Sequence, residues 1–128
     1  MALAEHIARA KDEGLTVARY AARADALEAA ARAGLAAAGG QGEAADGWRA
    51  RLDEAGTQLA LAQAYGAYQR LLGEAGCLDH GDQVALAVRL LEEQAAIRRG
   101  LRDRYRYVLV DEFQDTSPAQ LRLLELLV

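Results

Sequence analysis

Residues 107–116 read YVLVDEFQDT, and this stretch decides how the rest of the chain is interpreted. Its first four residues are apolar, are rich in β-formers, and have charged residues on both sides. A short apolar run of this kind is typical of a strand buried in a parallel sheet. Asp111 and Glu112 follow directly. We therefore predict a buried strand over residues 107–110 that ends in two adjacent carboxylates.

Two carboxylates at a strand end are unfavourable unless a cation lies nearby. In open α/β sheets, ligands bind beyond the carboxyl ends of the strands. In nucleotide hydrolases the cation is Mg²⁺ on the β- and γ-phosphates, and it takes one or two protein carboxylates. The pattern is compatible with Asp111 in the magnesium shell and Glu112 positioning the attacking water. An apolar strand followed by Asp-Glu is a weak signal alone, since many solvated strand ends share it.

A helix-start signal follows the acids. Thr116 or Ser117 is suited to cap a helix, and Pro118 is favoured in a first helical turn. Leucines then recur three residues apart from Leu121 to Leu127. The sequence therefore predicts a strand–turn–helix unit whose turn carries the two acids.

Upstream of this unit the composition indicates helices. The chain has 128 residues, which suits one domain or part of a larger one, and it contains a single proline. Its bias towards alanine, leucine, arginine and glutamate favours helix. The predicted fold class is mainly α, with one β-strand and a following helix near the end. The elements predicted upstream are a helix over 2–13, a helix from Thr16, a loop over 39–47, a helix from Trp48 to Leu72, and a helix from Asp79 to about Gly100.

Two of these helices carry informative stripes. Small alanines at helical spacing, such as Ala24 and Ala31, predict that a partner helix packs closely on the second helix. In the helix from Asp79, three apolar residues widen the main stripe, so we expect that helix to be well buried. These residues are Leu86, Leu90 and Ile97.

Charge and cysteine content exclude some classes of protein. A net charge of −4 and a pI near 5.2 argue against a strongly basic domain that binds nucleic acid by charge alone. The lone Cys77 cannot form an internal disulfide, which suits a reducing cytoplasm. No apolar run approaches the length of a membrane span, so we expect a cytoplasmic protein without a membrane partner. His6 and His80 lack partners at metal-ligand spacing.

Several aromatic and basic residues allow two interpretations. Tyr65 and Tyr68 could stack on bases, but they share a stripe with leucines, so core packing is favoured. Trp48 could contact DNA, although packing at a helix start is the simpler interpretation. An arginine-rich stretch could contact DNA phosphates, or it could be a solvated helix end where arginines favour the negative pole of the dipole. Its candidate DNA-binding residues are Arg98, Arg99 and Arg102.

The string from Val110 to Thr116, followed by Gln120 and leucines, resembles motif II of UvrD/Rep/PcrA-type superfamily 1 DNA helicases. Segments around Tyr65–Gln69, Leu78–Asp82 and Leu101–Tyr107 lie in the order and approximate spacing of that family. So do residues 7–16, IARAKDEGLT. The resemblance is strongest from about residue 60 onward. His80 and the run Asp82-Gln83-Val84 depart from the family pattern, which puts local packing in doubt but not the ATPase assignment.

The resemblance implies a map of the chain. Residues 1–104 would form the helical 1B subdomain, and residues 105–128 would be the motif II strand and helix of the incomplete RecA-like 1A ATPase domain. Asp111 would bind magnesium and contribute to the ATP site with Gln114 and Asp115, and Glu112 would be the catalytic residue. The parent would be an ATP-dependent, 3′→5′ DNA helicase or translocase acting in DNA repair, replication restart or recombination. Its partners would be single-stranded and duplex DNA, with 1B against the duplex.

The 128 residues contain no phosphate loop of the form GxxxxGKS/T. We therefore expect no ATPase activity from this chain alone, no bound ATP or Mg²⁺, and dependence on other helicase domains for the phosphate loop. An alternative is a stand-alone helical module that binds DNA or protein without ATP. The codons flanking the gene segment discriminate the two: an in-frame phosphate loop upstream indicates a helicase.

The strand has no sheet partners in the chain, so both of its edges would be exposed. We expect it to pair with another copy, to pack irregularly on the helices, or to be poorly ordered.

Overall fold

The computed structural model describes residues 3–128 and is mainly helical, as predicted. The chain forms two compact units: one comprises residues up to Leu15 together with Gly76–Val128, and the other is Thr16–Ala75. No helix in the described part is both long and apolar enough to cross a membrane. The helices are α1 (Leu3–Asp12), α2 (Val17–Ala37), α3 (Glu43–Ala75), α4 (His80–Glu93), α5 (Ala95–Arg104) and α6 (Pro118–Leu127), with a 3₁₀ turn at Phe113–Asp115. Residue 2, included in the first predicted helix, lies outside the described residues.

The unit Thr16–Ala75 is a hairpin of the two long helices α2 and α3. Thr16 caps α2 as predicted, because its Oγ1 accepts the Arg19 N–H at 3.2 Å. The predicted alanine seam is confirmed, since Ala24 and Ala31 are buried. α3 contributes three buried alanines of its own, and small side chains on both helices let their backbones approach closely. These alanines are Ala45, Ala55 and Ala62.

The turn between α2 and α3 is shorter than the predicted loop over 39–47. It ends at Gly42, whose φ of +89° lies in the left-handed region that favours glycine. α3 begins at Glu43, five residues before Trp48. Glu43 and Asp46 lie in its first turn, where the positive end of the helix dipole stabilises carboxylates. The glycines in this region gave too strong a loop signal.

The other unit is built around α4, which packs against α1, α5 and α6. Asp79 caps α4 as predicted and forms a reciprocal capping box with Asp82. Leu91 is the buried apolar residue of this helix. The expected wide apolar face is wrong within this chain. Leu86, Leu90 and Ile97 are each more than two-fifths exposed, because no described element covers that side of α4 and α5.

The helix predicted from Asp79 to Gly100 is broken at Gln94. This residue has φ −112° and ψ 81°, which lie outside the helical region, and it separates α4 from α5. The Arg98 guanidinium stabilises the break by donating to the carbonyl of Leu91 at 2.8 Å. α5 then runs through Gly100 to Arg104, so the glycine does not end the helix.

A buried ionic cluster joins α1 to the start of α4. The Lys11 ammonium lies 2.6 Å from Asp79 Oδ2 and 2.8 Å from Asp82 Oδ1. Lys11 is only 3% exposed, and its stem packs on Gly81, where an added Cβ would lie 2.7 Å from Lys11 Cδ. We call Lys11, Asp79 and Asp82 the Lys11 cluster. It fixes the first helix against the capped N-terminus of α4.

The strand predicted over residues 107–110 is absent: this segment is irregular, and no strand occurs among residues 3–128. The physical reason is that a strand is defined by hydrogen bonds to a neighbour, and the chain offers none to this segment. Leu109 is 96% exposed and Tyr107 is 89% exposed, whereas Val108 is half-buried. A local apolar pattern cannot supply the missing partner.

Replacing Lys11 with Met should destabilise the unit that contains α1 and α4. The substitution leaves the Asp79 and Asp82 carboxylates without their cation, and removing one partner of a buried ion pair costs about 3–5 kcal/mol. The loss is measured as the free energy of unfolding from urea titrations followed by circular dichroism. Arg9→Met is the matched control, since Arg9 forms an exposed pair with Glu13, and it should cost less than about 1 kcal/mol. Equal losses in the two variants would show that the cluster is not a main support of the unit.

Candidate functional site

The candidate site is the acidic turn, defined as residues 111–116 between the irregular segment and α6. A 3₁₀ turn at Phe113–Asp115 shapes it, with the Asp115 N–H donating to the Glu112 carbonyl at 2.9 Å. Ser117 then caps α6, as one of the two predicted candidates, and Gln120 completes a capping box by accepting the Ser117 N–H at 2.9 Å. Pro118 occupies the first helical turn, as predicted. The acids thus lie immediately before a well-capped helix.

Local hydrogen bonds orient the two acids. Asp111 Oδ1 accepts the backbone N–H of Glu112 at 2.9 Å. The Gln114 amide donates to Glu112 Oε2. The turn therefore brings Asp111, Glu112 and Gln114 together, and all three are exposed to solvent together with Asp115. Both carboxylates are accessible to a ligand.

Glu112 adopts an unusual backbone conformation. Its φ of 50° and ψ of 42° lie in the left-handed helical region, and it is the one non-glycine residue with positive φ in the described part of the chain. Side chains larger than glycine adopt this region at a cost of roughly 1–2 kcal/mol. Such strain is often found at functional sites. It marks Glu112 as a residue whose position is set by the turn.

The turn has the chemistry for part of a magnesium shell. Asp111 Oδ2 makes no hydrogen bond to the described residues, and magnesium prefers such hard oxygen ligands. Across residues 3–128, no group of three or more His, Cys, Asp or Glu side chains could hold a metal ion. The residues thus fit a magnesium ion that takes one or two carboxylates here and its other ligands from phosphate and water.

The three arginines predicted to contact DNA are not brought together. Arg98 donates to the Leu91 carbonyl at the α4 end. Arg102 donates through Nε to the Leu126 carbonyl at 3.0 Å and through Nη2 to the Glu125 carbonyl at 3.2 Å. These interactions satisfy helix-end carbonyls, which favour a nearby cation. Arg99 is exposed and has no ion pair or hydrogen bond within residues 3–128, so it is the one of the three left available to a phosphate.

The aromatic candidates lie in or beside the hairpin core. Tyr65 is 4% exposed and meets Tyr20 edge-on, with 6.3 Å between ring centroids, which confirms core packing for Tyr65. Tyr68 and Trp48 are half-buried. The Trp48 ring lies where a Cβ on Gly34 would stand, so Gly34 is needed for this close approach.

The sequence analysis missed the Lys11 cluster. The signal was present, because Lys11 lies four residues after the buried Ile7 and next to the buried Ala10, on the apolar side of α1. It is also the single lysine of the chain. A charged residue on an apolar face predicts a buried partner, but its identity required the fold.

Arg102→Ala should lower the free energy of unfolding by about 1 kcal/mol, because the carbonyls at the end of α6 lose a cationic donor. Arg99→Ala is the matched control on the same helix and should change stability by less than about 0.5 kcal/mol. Urea titration of both variants checks this. If Arg99→Ala were as destabilising as Arg102→Ala, the distinction between the two guanidinium groups would be wrong.

Comparison with known proteins places this geometry in a family. A family model described as the UvrD/REP helicase N-terminal domain matches residues 1–128. The ATP-dependent DNA helicase UvrD1 of Mycobacterium leprae is 44% identical over 68 residues, which cover 53% of this chain and 9% of that protein. The ATP-dependent DNA helicase Rep of Escherichia coli is 39% identical over 68 residues, which cover 53% of this chain and 10% of Rep.

A third relative combines two activities in its name. It is an ATP-dependent helicase/nuclease protein of Lactococcus lactis, 36% identical over 70 residues, which cover 55% of this chain and 6% of that protein. No solved structure matches the chain. The matched segments therefore span a tenth or less of the relatives described here. Because the family model covers all 128 residues, the chain belongs to the UvrD/REP helicase N-terminal domain family.

Proposed function

We propose that this chain is the part of an ATP-driven DNA helicase of the UvrD/Rep type that carries one half of the ATPase site. The single observation behind the proposal is the acidic turn, which presents Asp111 and Glu112 to solvent ahead of a capped helix in a chain of this family. The relatives are named ATP-dependent DNA helicases, which supports the same activity for the parent protein.

In this proposal the acids have separate roles. Asp111 holds magnesium through Oδ2, since its Oδ1 is occupied by the Glu112 N–H. Glu112 orients and polarises the attacking water, and Gln114 steadies the Glu112 carboxylate through its amide. Gln114 and Asp115 link the nucleotide to neighbouring motifs. Magnesium, when bound with ATP, neutralises the charge that develops on the phosphates.

We assign residues 1–104 to a helical subdomain of the 1B type and residues 105–128 to the ATPase domain 1A. The hairpin of α2 and α3 supports the first assignment, because it is an all-helical unit formed by one continuous segment, Thr16–Ala75. The second rests on the acidic turn and the apolar segment before it. In the parent, residues 107–110 would become a strand once neighbouring strands supply hydrogen bonds.

The parent would translocate on DNA in the 3′→5′ direction and act in repair, replication restart or recombination. Arg99 is the candidate for a phosphate contact, since Arg98 and Arg102 are engaged with helix-end carbonyls. The name of the Lactococcus lactis relative makes the helicase part of a helicase–nuclease a close variant of this proposal.

The alternative is a stand-alone helical module that binds DNA or protein without hydrolysing ATP. The absence of a phosphate loop from the 128 residues favours it as a description of this polypeptide. The intact Asp111–Glu112 pair favours a helicase, because a module without ATP chemistry has no use for two exposed acids on a strained turn. Flanking codons that encode an in-frame phosphate loop would decide for the helicase.

The isolated chain should show no ATP hydrolysis above the level of its Glu112→Gln variant, with or without single-stranded DNA. The reason is that no backbone cradle or lysine is present to bind the phosphates. A coupled assay that follows ADP release measures this, with circular dichroism to show that both proteins are folded. DNA-stimulated turnover that disappears in Glu112→Gln would contradict the proposal that the site is incomplete.

A further inference from the structure

The segment of residues 106–111 leaves its backbone unpaired on both sides. None of its N–H or carbonyl groups forms a backbone hydrogen bond to another residue of the described range 3–128. Its side chains are also uncovered, with Leu109 96% exposed and Tyr107 89% exposed. An exposed apolar segment with free N–H and carbonyl groups is a template for pairing with another strand.

The charges at the ends of this segment select the direction of pairing. Arg104 and Arg106 precede the apolar run, whereas Asp111 and Glu112 follow it. A parallel copy would place arginine beside arginine and acid beside acid. An antiparallel copy places the basic end of each segment against the acidic end of the other, and opposite charges across strands are stabilising. We propose that two copies of this chain associate by antiparallel pairing of residues 106–112.

Symmetry limits the register. Directly opposite residues on antiparallel strands point to the same face of the ribbon, and a two-fold axis normal to the ribbon keeps each residue on its own face. Opposite residues must therefore be an even number of positions apart. The register centred on Leu109 pairs Arg106 with Glu112 of the second copy and Val108 with Val110. A register centred on Val108 would need Arg104 opposite Glu112, but Arg104 belongs to α5.

This pairing concerns the isolated chain, and it is independent of the proposed ATPase role. Its readout is association without nucleotide, so its failure leaves the assignment of Asp111 and Glu112 unaffected. A competing contact surface exists in the same unit, namely an apolar groove of about 440 Å³. The groove is lined by residues of α4, α5, α6 and the irregular segment, including Leu90, Leu101, Tyr105 and Leu123.

Charge reversal separates the paired segment from the groove. Sedimentation velocity of the 128-residue chain over a wide concentration range should show a monomer–dimer equilibrium. Arg106→Glu and Glu112→Arg should each raise the dimer dissociation constant about tenfold, because each places two pairs of like charges opposite one another. The double variant should restore association, and an equimolar mixture of the two single variants should form the mixed dimer.

Two further measurements keep the result unambiguous. Circular dichroism should show unchanged helix content, since neither substituted residue lies in a helix. Hydrogen exchange should show protection of amides in residues 107–111 that increases with protein concentration. A chain that stays monomeric overturns the proposal. So does association that both single reversals leave unchanged, or association without protection of residues 107–111, which would assign the contact to the groove.

Discussion

The buried contact between the Lys11 ammonium and the carboxylates of Asp79 and Asp82 holds together two distant parts of the chain. Lys11 and Asp79 are 68 residues apart, and between them the chain makes the whole hairpin of α2 and α3. The same two aspartates cap α4, so one cluster both starts this helix and attaches α1 to it. Without the lysine, two negative charges would lie side by side at a partly buried helix start, which is unfavourable.

Everything near the acidic turn depends on α4. α5 and α6 pack against it, and Arg102 ties α5 to the end of α6. The Glu92 carboxylate on α4 also pairs with Arg122 on α6, and this hydrogen bond, with a second from Glu125, raises the pKa of the Arg122 guanidinium. The acidic turn is therefore suspended between the end of α5 and the start of α6, whose positions are both fixed by α4.

The sequence predicted those features that depend on neighbours a few residues away. Thr16, Asp79 and Ser117 were recognisable as helix caps because a cap bonds to backbone groups within three residues. The alanine seam of α2 was readable for a similar reason, since helical periodicity places its residues on one face. The position of the acids in a turn before α6 followed from the same local rules.

Features that depend on distant residues could not be read. The strand over residues 107–110 needs hydrogen-bonding partners, and the apolar pattern alone cannot show whether they exist in the chain. The break at Gln94 is stabilised by the reach of Arg98 to the Leu91 carbonyl, which no propensity describes. The exposed Leu86, Leu90 and Ile97 show the same limit, because an apolar stripe predicts burial only if something covers it.

The central claim is that Asp111 and Glu112 form half of a helicase ATPase site that other domains complete. The most direct measurement is ATP hydrolysis by a chimera in which this chain replaces the corresponding segment of Escherichia coli Rep. Glu112→Gln in the chimera should lower kcat by about a hundredfold or more while nucleotide binding persists. Glu125→Gln, at an exposed glutamate of α6, should leave the rate unchanged. A Glu112→Gln chimera that hydrolyses ATP as fast as its parent would contradict the claim.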